Sequence, residues 1–590
     1  MLADIYESFA GSVENISNFI WGGVWNGQEV LAFGPMAVIL LGTGLFFMIR
    51  LGGRPLRRFV PAVVEVWKGR KGNGDPAAIT PLQALSTALS GQVGTGNIVG
   101  VATALTLGGP GAIFWMWVTA IFGMALAFAE SSLAIKYRET DENGRINGGP
   151  MYYIKKGLGK NWTWLAAIFC VGTIFSATAT GGMIQANSMT ANIQTELRPV
   201  SQSLPCVLLQ PAQKNLRQVT GVAGNLEQIT AANLEPVSAC ELTTVPADQL
   251  VLVAGEADAE TGFIPLSSIE ASPGIALQTE LASWIFGLVI ALLVFAVIIG
   301  GIKSIGRVAG GLVPAMAALY IVGCIIILLL NLQHIPGAFA MIIASAFGFE
   351  QAAGGLAGYA ILSAIRFGVA RGLFSNEAGQ GSAPIAHAAS QMKNPAKQGE
   401  IAMIGVFIDT MVLCTMTALV ILTAEGTFAT SSELLAKPEM IAAGLGETTT
   451  HLWMAEGVNA ATLTNRAFTD AVPGPVGGWM VTICLALFAF TTIIGWSYYA
   501  EQATTFLVGE WATKPFRYVW VLIIFVGSLQ EVDFIWRFGD IANASMAFPN
   551  LIAIILLSGV VYGIHKANGD PDTDDGDSIM EDLRKKAPAE

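Results

Sequence analysis

Apolar residues along this chain come in runs of membrane length separated by polar segments, and eleven such runs can be drawn. They lie near 30–50, 80–105, 112–135, 161–186, 281–300, 308–330, 356–380, 400–424, 476–501, 516–530 and 541–565. A crossing helix needs about 20 residues, so the pattern predicts an all-α, polytopic membrane protein. Two runs are interrupted at their own middle. In one, the helix gives way to Gly91-Gln92-Val93-Gly94-Thr95-Gly96-Asn97; in the other, to Ser375-Asn376-Glu377-Ala378-Gly379-Gln380-Gly381-Ser382, with Pro384 just beyond. A helix interior does not favour that proline. Every peptide group in hydrocarbon needs a partner, so unwound backbone at that depth persists only around a cavity or a bound solute. Broken helices of this kind build the binding sites of many secondary transporters, which makes transport the first class to consider.

The breaks fall in the second and seventh runs, five helices apart. An odd offset reverses the second half, as an inverted repeat of five plus five helices requires, and leaves the first run as an extra N-terminal helix. A rival reading takes Gly91, Gly94 and Gly96 as a small-residue packing face. Packing alone does not explain Gln92, Thr95 and Asn97 as their neighbours. A nucleotide-binding fingerprint is excluded, because the glycine order is wrong and no βαβ unit surrounds it.

Composition agrees with residence in lipid. Of 590 residues 53% are hydrophobic and 13% charged, about half the charge of a soluble domain. Lys and Arg placement gives an orientation. The loop after the first run holds Arg50, Arg54, Arg57, Arg58, Lys68, Arg70 and Lys71, and every second loop after it is also basic. The expectation is a plasma (bacterial inner) membrane protein with its N-terminus outside and C-terminus cytoplasmic. The division expected is 1–79 for the N-terminus, extra helix and basic loop, 80–189 and 281–565 for the core, 190–280 for an exported insertion, and 566–590 for a disordered tail. The insertion holds ten acids against Arg198, Lys214 and Arg217, which with the tail accounts for most of the net charge of −12. It also holds Cys206 and Cys240, which can pair as a disulfide if exported. A second outer loop, about 425–475, is expected to cap the entrance. No basic patch or nucleic-acid motif is present, and no His/Cys cluster suggests a structural metal.

The breaks have a definite chemistry. A half-helix starting in mid-membrane offers the positive end of its dipole to a carboxylate, and one ending there offers carbonyls to an ammonium group or Na⁺. Gly91, Gly94 and Gly96 let the backbone approach the solute. Thr95, Asn97, Ser375 and Asn376 supply neutral contacts, and Thr491 and Thr492 offer hydroxyls at mid-span, as a hard cation needs. Four acids, Glu130, Glu377, Asp409 and Glu501, lie in or beside apolar runs and are functional candidates by location. Glu130 and Glu501 read as structural pairs or solvated caps near helix ends. Glu377 has the best claim to function and is expected to pair with Arg371 or Arg366. Asp409 reads equally as a latch or as a proton or cation site. Phe175 and Trp496 are candidate pocket walls.

Four motifs carry a resemblance. Gly91-Gln92-Val93-Gly94-Thr95-Gly96-Asn97-Ile98, Gly108-Gly109-Pro110-Gly111-Ala112-Ile113-Phe114-Trp115-Met116-Trp117, Gly148-Gly149-Pro150-Met151-Tyr152-Tyr153 and Phe374-Ser375-Asn376-Glu377-Ala378-Gly379 resemble the alanine or glycine:cation symporter family. The resemblance covers the chain except the insertion and the tail. It implies a LeuT-type fold and a Na⁺- or H⁺-driven symporter of small neutral amino acids. It further implies a substrate site of Gln92, Thr95, Gly96, Asn97, Phe175, Ser375, Asn376, Thr492 and Trp496. A Na⁺ site of the Val93 and Gly94 carbonyls with Thr491 or Thr492 is implied as well. Na⁺ is then a co-transported ion, and no organic cofactor is expected. The long insertion departs from the family's short connection.

Other classes fit less well. A channel would show a polar stripe along several helices, whereas polarity here concentrates at two breaks. An enzyme would need a nucleophile–base set, and the four histidines (His334, His387, His451, His565) are scattered. A transport-deficient sensor would need a signalling domain, and the tail is too short to fold as one. Na⁺ against H⁺, alanine against glycine, and the number of copies in an assembly are left open.

Overall fold

The computed structural model describes residues 2–31, 33–71, 78–142, 144–201, 216–219, 234–236, 250–253, 263–265, 273–348, 355–428, 434–435, 448–449, 460–472, 476–529 and 532–567. Helix is found at each of the eleven apolar runs. Among the described residues six helices have the length and composition to cross a membrane: Gly111–Tyr137, Lys160–Ile193, Gly301–Leu330, Pro395–Ala424, Val476–Val508 and Trp536–Leu556. Shorter apolar helices include Pro35–Arg50, Val99–Gly108 and Trp284–Ile298. Helices at Leu2–Gly22 and Ile335–Ala346 were not among the expected runs.

The first broken helix comprises Pro81–Gln92 and Val99–Gly108, with a tight turn at Thr95–Asn97 between them. It starts at a reciprocal cap, in which the Thr80 hydroxyl accepts from Gln83 N and the Gln83 side chain accepts from Thr80 N. That cap satisfies two donors the first turn leaves unpaired. The second broken helix comprises Gly355–Asn376 and Ala383–Ala388. Its connection has positive φ at Glu377 (56°), Gly379 (87°) and Gly381 (87°). Glycine takes those angles freely, whereas Glu377 takes one at a cost of order 1 kcal/mol. Two long helices also leave the α geometry locally, through wider π-type turns at Ala177–Met183 and Phe407–Cys414. Such bulges re-aim side chains and are frequent at functional sites.

The breaks meet because their neighbours are small. The long helix Val476–Val508 crosses the first half-helix at Gly495, where a Cβ would lie 2.6 Å from Ser90 Oγ. Gln92 Nε2 donates to the Asn376 carbonyl at 2.8 Å and ties one break directly to the other.

Residues Thr190–Phe286 form a separate compact unit. Within it Leu234–Pro236, Leu216–Val219, Leu250–Val253 and Phe263–Pro265 make a four-stranded antiparallel sheet in that order. Cys206 and Cys240 lie outside the described residues, as does the tail from 568.

Candidate functional site

A small pocket lies where the two breaks meet. Gly91, Gln92, Gly94 and Gly96 of the first break line it, with Phe374 and Glu377 of the second. The long helix adds Thr492 and Trp496, and Thr180, Gln185 and Asn543 complete the wall. Close backbone approach explains Gly94, where a Cβ would stand 2.5 Å from Thr492 Oγ1 and 3.1 Å from Gln185 Oε1. Trp496 is seated against Gly181, where a Cβ would come within 2.3 Å of the indole, and it donates from Nε1 to the Gly91 carbonyl at 3.3 Å. Gln92 Oε1 and Thr95 Oγ1 are buried with no hydrogen-bond partner among the described residues. A buried acceptor left open in this way is costly unless a ligand or water uses it.

Beside the cavity, both breaks are fastened to Asp409. Asn97 Nδ2 donates to its Oδ1 at 2.6 Å, while Ser375 Oγ and Thr410 Oγ1 donate to its Oδ2 at 2.7 and 2.8 Å. Asn97 also accepts from Gly94 N at 2.9 Å, so its amide both shapes the unwound turn and holds it to the neighbouring helix. Asn376 donates to Thr410 Oγ1 at 3.1 Å and accepts from Ala378 N at 3.0 Å. Asn97, Ser375 and Asn376 therefore frame the breaks from behind and are not among the lining residues.

Thr492 Oγ1 lies 3.2 Å from the Val93 carbonyl and 3.0 Å from the Phe488 carbonyl of its own helix, which places two oxygens of the expected cation set together beside Gly94. Thr491 Oγ1 returns to the Phe488 carbonyl of its own helix at 2.9 Å and faces Met316 Sδ at 3.5 Å. Phe175 does not reach the site. It is 51% exposed and packs against Phe538 at 6.0 Å. The aromatic wall opposite Trp496 is Phe374, whose only sequence signal was its place in the second break.

The acids divide differently from expectation. Glu377 lines the cavity and accepts from Ser382 Oγ at 2.5 Å, while Arg371 pairs with Asp540 at 2.6 Å and Arg366 donates to Asn18 at 2.5 Å. Glu130 is no solvated cap. It is fully buried and accepts from Asn550 Nδ2 at 2.5 Å, an amide that also reaches the Gly379 carbonyl and Tyr153 Oη. Glu501 is a structural pair, bidentate with Arg517 at 2.7 and 2.9 Å. The helix Ala460–Ala471 in the 425–475 loop sends Thr464 Oγ1 to the Ile98 carbonyl, so that loop touches the first break.

The model of the sodium:alanine symporter family matches residues 17–210 and 259–574. The chain belongs to that family. It is 37% identical over 561 residues to the sodium/alanine symporter AgcS of Methanococcus maripaludis, covering 95% of this chain and 97% of that one. It is 35% identical over 548 residues to an uncharacterized transporter of Haemophilus influenzae, covering 92% of this chain and 93% of the other. Its fold is similar to that of MhsT, crystallised in complex with L-phenylalanine, with a TM-score of 0.50 and 13% identity over 85% of this chain and 95% of that one. Membership makes it a multi-pass transporter of LeuT-like fold and not an enzyme. In this member of the family Gln185 was missed by sequence reasoning. Its Oε1 accepts from Thr95 N at 3.0 Å and its Nε2 donates to the Thr180 carbonyl at 3.0 Å, so it pins the first break to the π-type turn. A glutamine in a weakly apolar stretch carries no signal until that turn aims it inward.

Proposed function

We propose that this chain is a Na⁺-coupled symporter importing small neutral amino acids, alanine and glycine, through eleven crossings arranged as one extra helix and an inverted five-plus-five core. The observation that carries this reading is the cavity at the meeting of two unwound segments, small and walled by Trp496 and Phe374. A zwitterion suits it. The open Gln92 Oε1 can accept from an ammonium group, and the start of the half-helix at Val99 favours a carboxylate. Na⁺ belongs between the Val93 carbonyl and Thr492 Oγ1, beside the residues that shape the first break. Sodium there preorganises the unwound turn for the amino acid, and by linkage each ligand raises the other's affinity. The similarity to a sodium/alanine symporter supports both cargoes. The basic loops support a plasma membrane (bacterial inner membrane) location with the N-terminus outside and the C-terminus cytoplasmic.

Proton coupling is the second reading, favoured by Glu377 in the cavity wall. Labelled-alanine uptake into proteoliposomes decides between them. Accumulation above equilibrium under an inward Na⁺ gradient alone is the expected result. Accumulation only under an inward H⁺ gradient would transfer coupling to Glu377 or Asp409, and no flux of any small amino acid would overturn transport of this class.

A further inference from the structure

One end of the cavity is closed by a layered contact between the second broken helix and the helix Val532–Leu556. Phe374 lines the cavity, and Trp536 stacks on it with centroids 5.0 Å apart. The Arg371 guanidinium lies over both rings, 5.7 and 5.3 Å from their centroids, and Arg371 Nη2 is paired with Asp540 Oδ2 at 2.6 Å. Arg371 and Asp540 each stand three residues before a lining residue of their own helix, Phe374 and Asn543. The pair is therefore one helical turn beyond the cavity on both sides.

The helix Leu2–Gly22 spans the same junction. Its residues Glu14, Asn18 and Trp21 are spaced four and three apart, on one face. Trp21 is 3% exposed and donates from Nε1 to the Asp540 carbonyl at 3.2 Å. Asn18 Oδ1 accepts from Arg366 Nη2 at 2.5 Å, and Glu14 pairs with Arg537. Two of the three contacts are to the Val532–Leu556 helix and one is to the second broken helix. Gly22 fits against Arg366 so closely that a Cβ would lie 2.8 Å from the guanidinium.

We infer that the Leu2–Gly22 helix is a strap across this end of the cavity, fastened to both helices whose separation opens it, so that release of Trp21 and Asn18 sets how often it opens. The inference rests on the cavity being the solute site proposed above. The strap is held by one exposed ion pair and two side-chain hydrogen bonds, so loss of either half is expected to raise opening roughly tenfold.

The test uses the full chain in intact cells, with the six native cysteines replaced and Thr180→Cys as a reporter in the cavity wall. The readout is its rate of modification by a membrane-impermeant thiol reagent. Trp21→Ala and, separately, the doubly substituted Glu14→Gln/Asn18→Ala chain are expected to speed modification about tenfold. Trp21→Phe, which keeps the ring and loses the N–H, is expected between these and the parent. Rates equal to the parent in both Trp21→Ala and the double variant would overturn the strap, even with alanine uptake intact. Faster modification without uptake of any small amino acid would sustain the strap and overturn the proposed transport.

Discussion

The Asn97 amide nitrogen lies 2.6 Å from Asp409 Oδ1, joining an unwound segment of one helix to the π-type turn of another. Ser375 reaches the second oxygen of the same carboxylate, so one side chain fixes the positions of both breaks. This geometry fits the latch, one of the two roles its sequence position left open, and the next variants test it.

Truncating Asn97 should consequently act on geometry. Asn97→Ala leaves Gly94 N without its acceptor and removes one donor from Asp409. Each such loss costs about 1–3 kcal/mol in a buried site. Alanine uptake is expected to fall at least tenfold while the protein still elutes as a folded species on size-exclusion chromatography. Asp409→Ala strands donors from Asn97, Ser375 and Thr410 together and should lower the melting temperature more than Asn97→Ala does. Unchanged uptake in Asn97→Ala would remove the latch from the mechanism.

Two adjacent threonines make a sharper contrast. Thr492→Val removes the hydroxyl beside the Val93 carbonyl, and the half-saturating Na⁺ concentration is expected to rise tenfold or more. Gly94→Ala should do the same, because the new methyl displaces Thr492 Oγ1 from 2.5 Å. Thr491→Val is expected to change Na⁺ dependence less than twofold, since that hydroxyl meets Phe488 and Met316 and not the Val93 carbonyl. Uptake measured against Na⁺ concentration in the three variants separates the positions. Equal effects at Thr491 and Thr492 would contradict the cation placement.

How much of this was legible follows from what the signals measure. Hydropathy reports burial in lipid, so the helices were readable run by run. Polar residues in mid-span report a local failure of the helix, so both breaks were readable as well. Neither reports rotation about a helix axis. Thr491 and Thr492 are indistinguishable by composition, yet one faces Val93 and the other Met316. Phe175 faces outward for the same reason, and Phe374, on the broken helix itself, takes the wall. Glu130 looked like a helix-end acid because the amide of Asn550, 420 residues away in sequence, leaves no local trace.

Selectivity should depend on the seat of Trp496. The indole is held by Gly181 on one side and by its hydrogen bond to Gly91 on the other. Trp496→Phe loses that bond and opens space. A methylene of pocket volume is worth ~1–3 kcal/mol of discrimination, so competition by valine or leucine is expected to strengthen roughly tenfold relative to alanine. Gly181→Ala pushes the indole into the cavity and should weaken alanine more than glycine. Competition assays with unlabelled amino acids check both, and an unaltered selectivity order in both variants would remove Trp496 from the wall.

At the basic-loop end a different pair governs stability. Glu400 is fully buried and accepts from Arg54 at 2.6 Å and Arg58 at 3.1 Å, and Arg54 reaches on to His565 Nδ1 and its carbonyl at 3.0 Å each. The cluster joins the segment after the extra helix to the middle of the Pro395–Val406 helix and to the last described helix, Ser558–Ala567. Burial pulls Arg54 below its ordinary pKa, and Glu400 opposes that pull. Glu400→Gln leaves a buried guanidinium without its carboxylate, a change of about 3–5 kcal/mol when one partner of a buried pair is lost. A clear drop in melting temperature is expected in detergent. Replacing both partners, Arg54→Met with Glu400→Leu, should recover much of it, because no charge then stays buried alone. A double variant as unstable as Glu400→Gln would mean that Arg58 and His565, and not the Arg54 pair, carry the cluster.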